Sequence, residues 1–208
     1  VIVDLFFGRH ALFVDEDPKP DGQRGVHPFA VANVEKLVDH GASDSAWGVE
    51  VRVVHRIHLC TGLLERDGRV LLVANAYPNR TELLWNLPGG RQEAGESCAM
   101  AAVRELREET SLEARVRGLA YVAESFDPVS DTQFTALCFT VDAAGEPHVP
   151  PGDAHVRACR WVPRDELASL LAVRVVREPL LRHLADPQQR YFAYADAGIT
   201  IAFGDDPA

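Results

Sequence analysis

The stretch "LPGGRQEAGESCAMAAVRELREETSL", residues 87–112, holds five glutamates and no lysine. From about residue 97 to 110 it has the spacing of a helix, yet Glu105, Glu108 and Glu109 repel one another once ionised. Like-charge pairs at helical spacing destabilise by a few tenths of a kcal/mol each. On a wheel advancing about 100° per residue, Glu108 and Glu109 fall on either side of Glu105. Ala99, Ala102, Val103 and Leu106 gather on a different face, and the small Ala101 sits one turn before Glu105 on the acidic side, leaving room for something to sit there. The pattern predicts one side for a core and one for carboxylates. A solvated face stitched by Arg104 and Arg107 is the simpler explanation of such a run. The glycines of Pro88-Gly89-Gly90 and Gly95-Glu96 argue against it, because they let backbone approach the acidic face closely. Backbone carbonyls with clustered carboxylates suit a hard divalent cation, and Mg²⁺ combines a few carboxylates with substrate phosphate oxygens.

Outward from this helix the chain reads as strands. Upstream, "VEVRVVHRIHLCTGLLE" and "RVLLVAN" flank the turn Arg66-Asp67-Gly68, and "ELLWNLP" leads as a short strand into the glycines. Downstream come "EARVRGLAYVAESF", "TQFTALCFTVD" and "HVRACRWV", then helical segments near "RDELASLLA" and "VREPLLRHLA". The terminal "RYFAYADAGITIAF" reads as a hairpin turning near Asp196 to Gly198. Strands in antiparallel-looking pairs interrupted by helices predict an α+β fold with helices on the sheet faces. The small, polar "DHGASDSAWG", residues 39–48, marks a boundary, with residues 1–48 as an N-terminal extension and 49–208 as the main domain.

At 208 residues and 47% hydrophobic composition, the chain is expected to bury one substantial core. A net charge of −10 argues against nucleic-acid backbone as a partner, because that binding neutralises phosphates with Lys and Arg. No apolar run spans a bilayer, and Asp4, Arg9 and His10 interrupt the apolar N-terminal stretch. The expectation is a soluble, cytoplasmic protein with no membrane partner. Cys60, Cys98, Cys138 and Cys159 are scattered without metal-type pairing and read as reduced core residues.

The central run resembles the box of the Nudix hydrolases: Gly, five residues, Glu, seven residues, Arg-Glu, an apolar residue, any residue, Glu-Glu, any residue, Gly, an apolar residue. Gly90, Glu96, Arg104, Glu105, Leu106, Glu108, Glu109 and Leu112 fall in that order. Six fixed positions at roughly 7% each coincide about once in ten million starts, so chance is negligible. Ser111 stands where the family has its last Gly, a position suited to a left-handed helix exit; a non-Gly residue there costs on the order of 1 kcal/mol.

The resemblance implies an α/β/α sandwich with a mixed sheet and hydrolysis of a pyrophosphate bond with Mg²⁺ or Mn²⁺. The substrate would be a nucleoside diphosphate linked to another moiety: ADP-ribose or its like, a nucleotide sugar, a dinucleoside polyphosphate or a nucleoside triphosphate. It places Glu105 and Glu109 as principal metal ligands, Glu108 as a further ligand or base, and the Gly90 carbonyl as completing the coordination. Arg104 and Glu96 would orient that group. For the general base, Glu124, Asp127, Asp131 and Asp153 remain alternatives to the box itself. Arg80, Arg91 and Phe126 are candidates for holding phosphate or stacking on a base, with Tyr77 and Trp85 beside them, Trp85 leaning to core packing. His155 reads as structural. A catalytically silent nucleotide-binding module is the rival reading; isomerase chemistry through Cys98 is a second. Residues 1–48 would build a homodimer interface or cover the cleft.

Overall fold

The computed structural model describes residues 55–127, 130–152 and 155–196. The expected extension at 1–48, the candidate base Asp153 and the second arm of the terminal hairpin lie outside them.

Among the described residues, eight strands form a mixed sheet: β1 (His55–Arg66), β2 (Arg69–Asn75), β3 (Leu84–Asn86), β4 (Gly89–Arg91), β5 (Ala114–Asp127), β6 (Thr132–Ala143), β7 (Val156–Pro163) and β8 (Tyr191–Ala193). The spatial order is β3-β2-β1-β6-β5-β8, with β4 against β1 and β7 against β2. Two pairings depart from the antiparallel expectation. β1 runs parallel to β6 from His55↔Thr132 to Leu64↔Val141, and β8 runs parallel to β5. The β1–β6 pair is possible because the intervening chain passes through a helix and β5 before returning, the crossover that parallel strands need.

The sheet is covered on both faces, which explains the unbroken apolar run in β2. Neighbouring residues serve opposite layers. Leu63 and Leu72 pack with Leu167, Leu171 and Leu180, whereas Leu64 and Leu71 pack with Leu106. The first layer carries α2 (Leu167–Leu170), entered through a 3-10 turn at Arg164–Glu166, and α3 (Arg174–Ala185). The second carries α1 (Cys98–Thr110). This is the sandwich the sequence predicts, with α1 laid on β1.

The ends of α1 follow from local chemistry. Ser97 caps the start, its Oγ accepting the Met100 N–H at 3.2 Å. Ser111 ends it in the left-handed region, φ 57° and ψ 16°, its N–H donating to the Arg107 carbonyl at 2.8 Å. The exit geometry a glycine would favour is therefore adopted by serine. β4 is an addition to the sequence reading: its short "GGR" has no strand propensity of its own and is drawn into the sheet by Leu59, Cys60 and Thr61 of β1.

Candidate active site

The faces of α1 are not divided as the wheel suggested. Ala101, Ala102, Leu106, Glu109 and Thr110 are buried, while Ala99 and Val103 are half-buried. Ala101 leaves no open room on the acidic side; it packs with Cys60 and Ala102 against β1. Glu105 is half-buried and Glu109 only 5% exposed, leaving Glu108 as the exposed member of the three. The acidic face is thus part of the inward side, and such carboxylates need partners.

Arg104 supplies most of them. Its Nε and Nη2 donate to the two oxygens of Glu96 at 3.2 and 2.8 Å. Nη1 donates to Glu105 Oε1 at 2.9 Å and Glu108 Oε2 at 3.1 Å, and Nη2 also donates to the Arg91 carbonyl at 3.0 Å. Glu96 is fixed further by the Glu93 N–H on Oε1 at 2.8 Å. Glu109 Oε2 accepts the Gly89 N–H at 2.8 Å. One guanidinium, with three of the four expected carboxylates on it, joins the β4 backbone to the helix.

The charges respond to this packing. Burial raises the Glu105 pKa above the ordinary carboxylate value; Arg104 opposes that shift, and the neighbouring Glu108 and Glu96 charges reinforce it. Glu96 moves the other way, chiefly through its hydrogen bonds from Arg104. Arg104 is held more firmly protonated than usual, first by Glu96 and, after an opposing burial effect, by Glu105.

Gly90 explains its own identity. A Cβ built there would lie 2.4 Å from Glu105 Oε1 and 2.6 Å from its Cδ. Only a glycine lets this backbone sit against that carboxyl group. At Gly89 a Cβ would meet the Cys60 carbonyl oxygen at 2.3 Å, so the close approach of β4 to β1 also depends on glycine.

The remaining candidates are dispersed. Arg91 lies on β4 and contributes its carbonyl to Arg104. Arg80 lies in the β2–β3 loop, where Pro78, Asn79, Arg80, Thr81 and Glu82 line a hollow of about 480 Å³. Its Nε is buried with no partner among the described residues. Phe126 is near the end of β5, three places from β2 in the sheet order, and pairs with Gln133 of β6. These three lie on three different elements. Glu124 accepts the Tyr191 hydroxyl at 2.7 Å, Asp127 accepts Ser130 Oγ at 2.8 Å, and Asp131 gives its carbonyl to the His55 N–H at 3.0 Å. Trp85 packs against the core under the Arg160 guanidinium, 4.7 Å from its ring centre. Cys98 shares a thiol hydrogen bond with Cys60, whose burial pushes its pKa up to about 12. Cys98 itself is half-buried and packs against the cluster of Cys60, Ala101 and Ala102. All four cysteines are free.

The sequence reading passed over a polar group at the end of β2. Asn75 Nδ2 lies 3.2 Å from His155 Nε2, the His155 ring meets Tyr77 edge-on at 5.2 Å, and Asn86 Nδ2 donates to the Tyr77 hydroxyl at 3.5 Å. Asn75 and His155 are 80 residues apart. Only the termination of an apolar run by asparagine hinted at this group.

The donor chemistry and the Gly90 approach fit a hard divalent cation: carboxylates converge on one side of α1 and a backbone segment is held against them. Among the described residues, no three His, Cys, Asp or Glu side chains form a ready-made metal cage. Glu105 and Glu108 are turned to Arg104, and Glu109 to Gly89.

Mixed sheet, two helical layers and a Gly90–Glu109 constellation define a hydrolase of the Nudix class. The NUDIX domain profile matches residues 54–184, and the chain belongs to that family. It is 29% identical over 119 residues to phosphatase NudJ of Escherichia coli K12, an alignment covering 57% of this chain and 74% of the relative. A MutT NUDIX hydrolase from Burkholderia pseudomallei superposes with a TM-score of 0.53 at 27% identity, covering 61% of this chain and 96% of that one. A MutT protein from Methanosarcina mazei Go1 gives 0.57 at 19% identity, covering 67% and 100%, a likeness of fold. The chain is a Nudix hydrolase, and members of the family use divalent metal ions. No helix among the described residues is long and apolar enough to cross a membrane.

Proposed function

We propose that this hydrolase cleaves a pyrophosphate bond in a nucleoside diphosphate linked to another moiety, using Mg²⁺, with Mn²⁺ as a substitute. The observation that carries the reading is the Arg104 hub: one guanidinium holds Glu96, Glu105 and Glu108, while Gly90 lies against the Glu105 carboxyl group. Glu105, Glu108, Glu109 and the Gly90 carbonyl would hold the cation. A bound divalent cation neutralises charge developing on phosphate oxygens and lowers the pKa of an attacking water.

The chain's own residues perform the rest. Arg104 and Glu96 set the direction of the Glu105 and Glu108 carboxylates, a positioning role whose loss weakens metal affinity or activity by about 10- to 100-fold. The Gly89 N–H fixes Glu109 at the far end of the face. Arg91 and Arg80 supply positive charge for the substrate's phosphates, Arg80 from the rim of its own hollow. Phe126, on β5, would stack on a base only where the bound substrate reaches across β1 and β6. Residues 1–48 form a separate extension to a catalytic domain of 49–208, acting at a homodimer interface or over the cleft, in a cytoplasmic protein without nucleic-acid partners.

The test is phosphate release from ADP-ribose, nucleotide sugars, dinucleoside polyphosphates, NADH, coenzyme A and nucleoside triphosphates. It is run with Mg²⁺ or Mn²⁺ and coupled phosphatase, beside a Glu109→Gln control. Metal-dependent turnover lost in the control is the expected result. Absence of turnover with either metal, while a nucleotide still raises Tm, refutes hydrolysis in favour of a binding module.

A further inference from the structure

The polar group at the end of β2 has a position and a chemistry that the hydrolase reading leaves unused. Asn86 and Cys159 both pair with Val73, one on each side of β2, and Asn75 lies two residues further along the same strand. Three residues after Asn86, the Gly89 N–H donates to Glu109 Oε2 at 2.8 Å, so the group adjoins the carboxylate that closes the acidic face of α1.

Asn75 is 4% exposed, and its Oδ1 is buried without a hydrogen bond from any described residue. The other end of its amide is engaged, 3.2 Å from His155 Nε2. A buried amide oxygen left unpaired costs about as much as a lost hydrogen bond, so a ligand that supplies the donor gains affinity there. His155 is exposed and Asn86 half-buried, so the group is open on the side away from the core. An amide at this place presents its oxygen or, rotated, its NH₂. A hydroxyl donates and accepts, so it satisfies either orientation.

We propose that Asn75, held by His155 and flanked by Tyr77 and Asn86, is a specificity residue that hydrogen-bonds a sugar hydroxyl of the substrate's nucleoside part, next to Glu109. The proposal rests on the hydrolase reading for the presence of a nucleoside. It goes beyond it in naming the group recognised and the side of the acidic face on which the sugar lies. The group sets two amides and a phenol around one imidazole, which supplies the donors and acceptors that a sugar hydroxyl pairs with.

The test is calorimetric binding of ADP, 2′,3′-dideoxy-ADP and inorganic pyrophosphate, in Mg²⁺ buffer, to the full chain and to Asn75→Leu. Leucine is close in volume and removes both amide partners. It is expected to weaken ADP about twofold to tenfold, the worth of one neutral hydrogen bond. Dideoxy-ADP and pyrophosphate should bind the variant as they bind the parent. His155→Ala, at an exposed position, repeats the experiment if Asn75→Leu does not fold, and should weaken ADP selectively in the same sense. Equal weakening of ADP and dideoxy-ADP would assign the contact to the base or to an indirect effect and overturn the proposal. Unchanged ADP binding, weakened pyrophosphate binding, or a parent that binds ADP no better than pyrophosphate would overturn it too. Turnover of the nucleotide panel is scored separately: an inactive protein that keeps the ADP against dideoxy-ADP contrast refutes the hydrolase reading alone.

Discussion

Gly90→Ala isolates the geometry of the acidic face from the stability of the fold. The backbone at Gly90 is not in the left-handed region, so alanine adds no backbone strain. Its methyl group would start 2.4 Å from Glu105 Oε1, against the 3.4 Å at which ordinary contact begins, and 2.8 Å from Oε2. The obstacle is the mobile end of a glutamate, so the carboxyl group gives way by about 1 Å and the sheet does not. The move strains the 2.9 Å bond from Arg104 Nη1 but leaves that guanidinium its bonds to Glu96. Losing part of one hydrogen bond costs at most about 1 kcal/mol of stability. A misplacement of about 1 Å at a reacting group lowers the rate on the order of 100-fold.

The expected outcome is a Tm within a few degrees of the parent and a kcat lower by about two orders of magnitude. Glu105→Asp, one methylene shorter, should relieve the crowding, so adding Gly90→Ala in that background should cost much less than in the parent. Gly89→Ala is the contrast, because its Cβ would meet backbone at Cys60 O and Thr61 Cα, which cannot rotate away. It should lower stability by about 1–3 kcal/mol or more. Steady-state kinetics beside thermal melting decides the matter. Parental kcat in Gly90→Ala, or a loss of activity that merely tracks a collapse in Tm, refutes the reasoning.

Ser111→Gly should stabilise the chain by up to about 1 kcal/mol, because it relieves a left-handed residue at φ 57° while adding some unfolded-state entropy; urea unfolding measures it. Arg104→Met should lose most stability at neutral pH and progressively less in acid. Glu96, depressed by Arg104, contributes stability above its unfolded value near 4.5 and loses it as pH falls through the lower folded value. Glu105, raised by burial, contributes in the opposite sense, and removing Arg104 raises it further, so the gap between variant and parent narrows below pH 4.5 in urea titrations. Cys60 and Cys138 are buried, with thiols raised to about 12 and about 11, so iodoacetamide near neutral pH should spare both in the native protein and modify both in denaturant. Intact-mass and peptide spectrometry read that result.

What the sequence revealed depended on whether the cause of a structure was local. β2 was legible because seven residues, "RVLLVAN", carry strand propensity and follow a turn in which Asp67 and Gly68 both take positive φ. The carboxylate spacing of α1 was legible because a helix fixes it without reference to anything else. β4 was not, since two glycines and an arginine become a strand only when β1 supplies the partner. The first arm of the expected terminal hairpin was legible as a strand, but its neighbour was not: Tyr191–Ala193 docks parallel to β5, a choice made by Val122 to Glu124 almost seventy residues earlier.

The error about Ala101 has the same root, and it bears on chemistry. A wheel sorts residues by type, so it sets three glutamates on a face of their own, apart from the core. In the fold that face turns inward beside Ala101 and Leu106, because Arg104, the Gly89 N–H and the close Gly90 backbone together make buried carboxylate tolerable. Each partner comes from the same 26 residues, so the compensation was present in the sequence but not the contacts that express it. A solvated charge run would need none of these three, and a Cβ at residue 90 would be harmless. The inward carboxylates, the arginine that ties them and the glycine that touches them are therefore one feature, and substituting any one should disturb the other two.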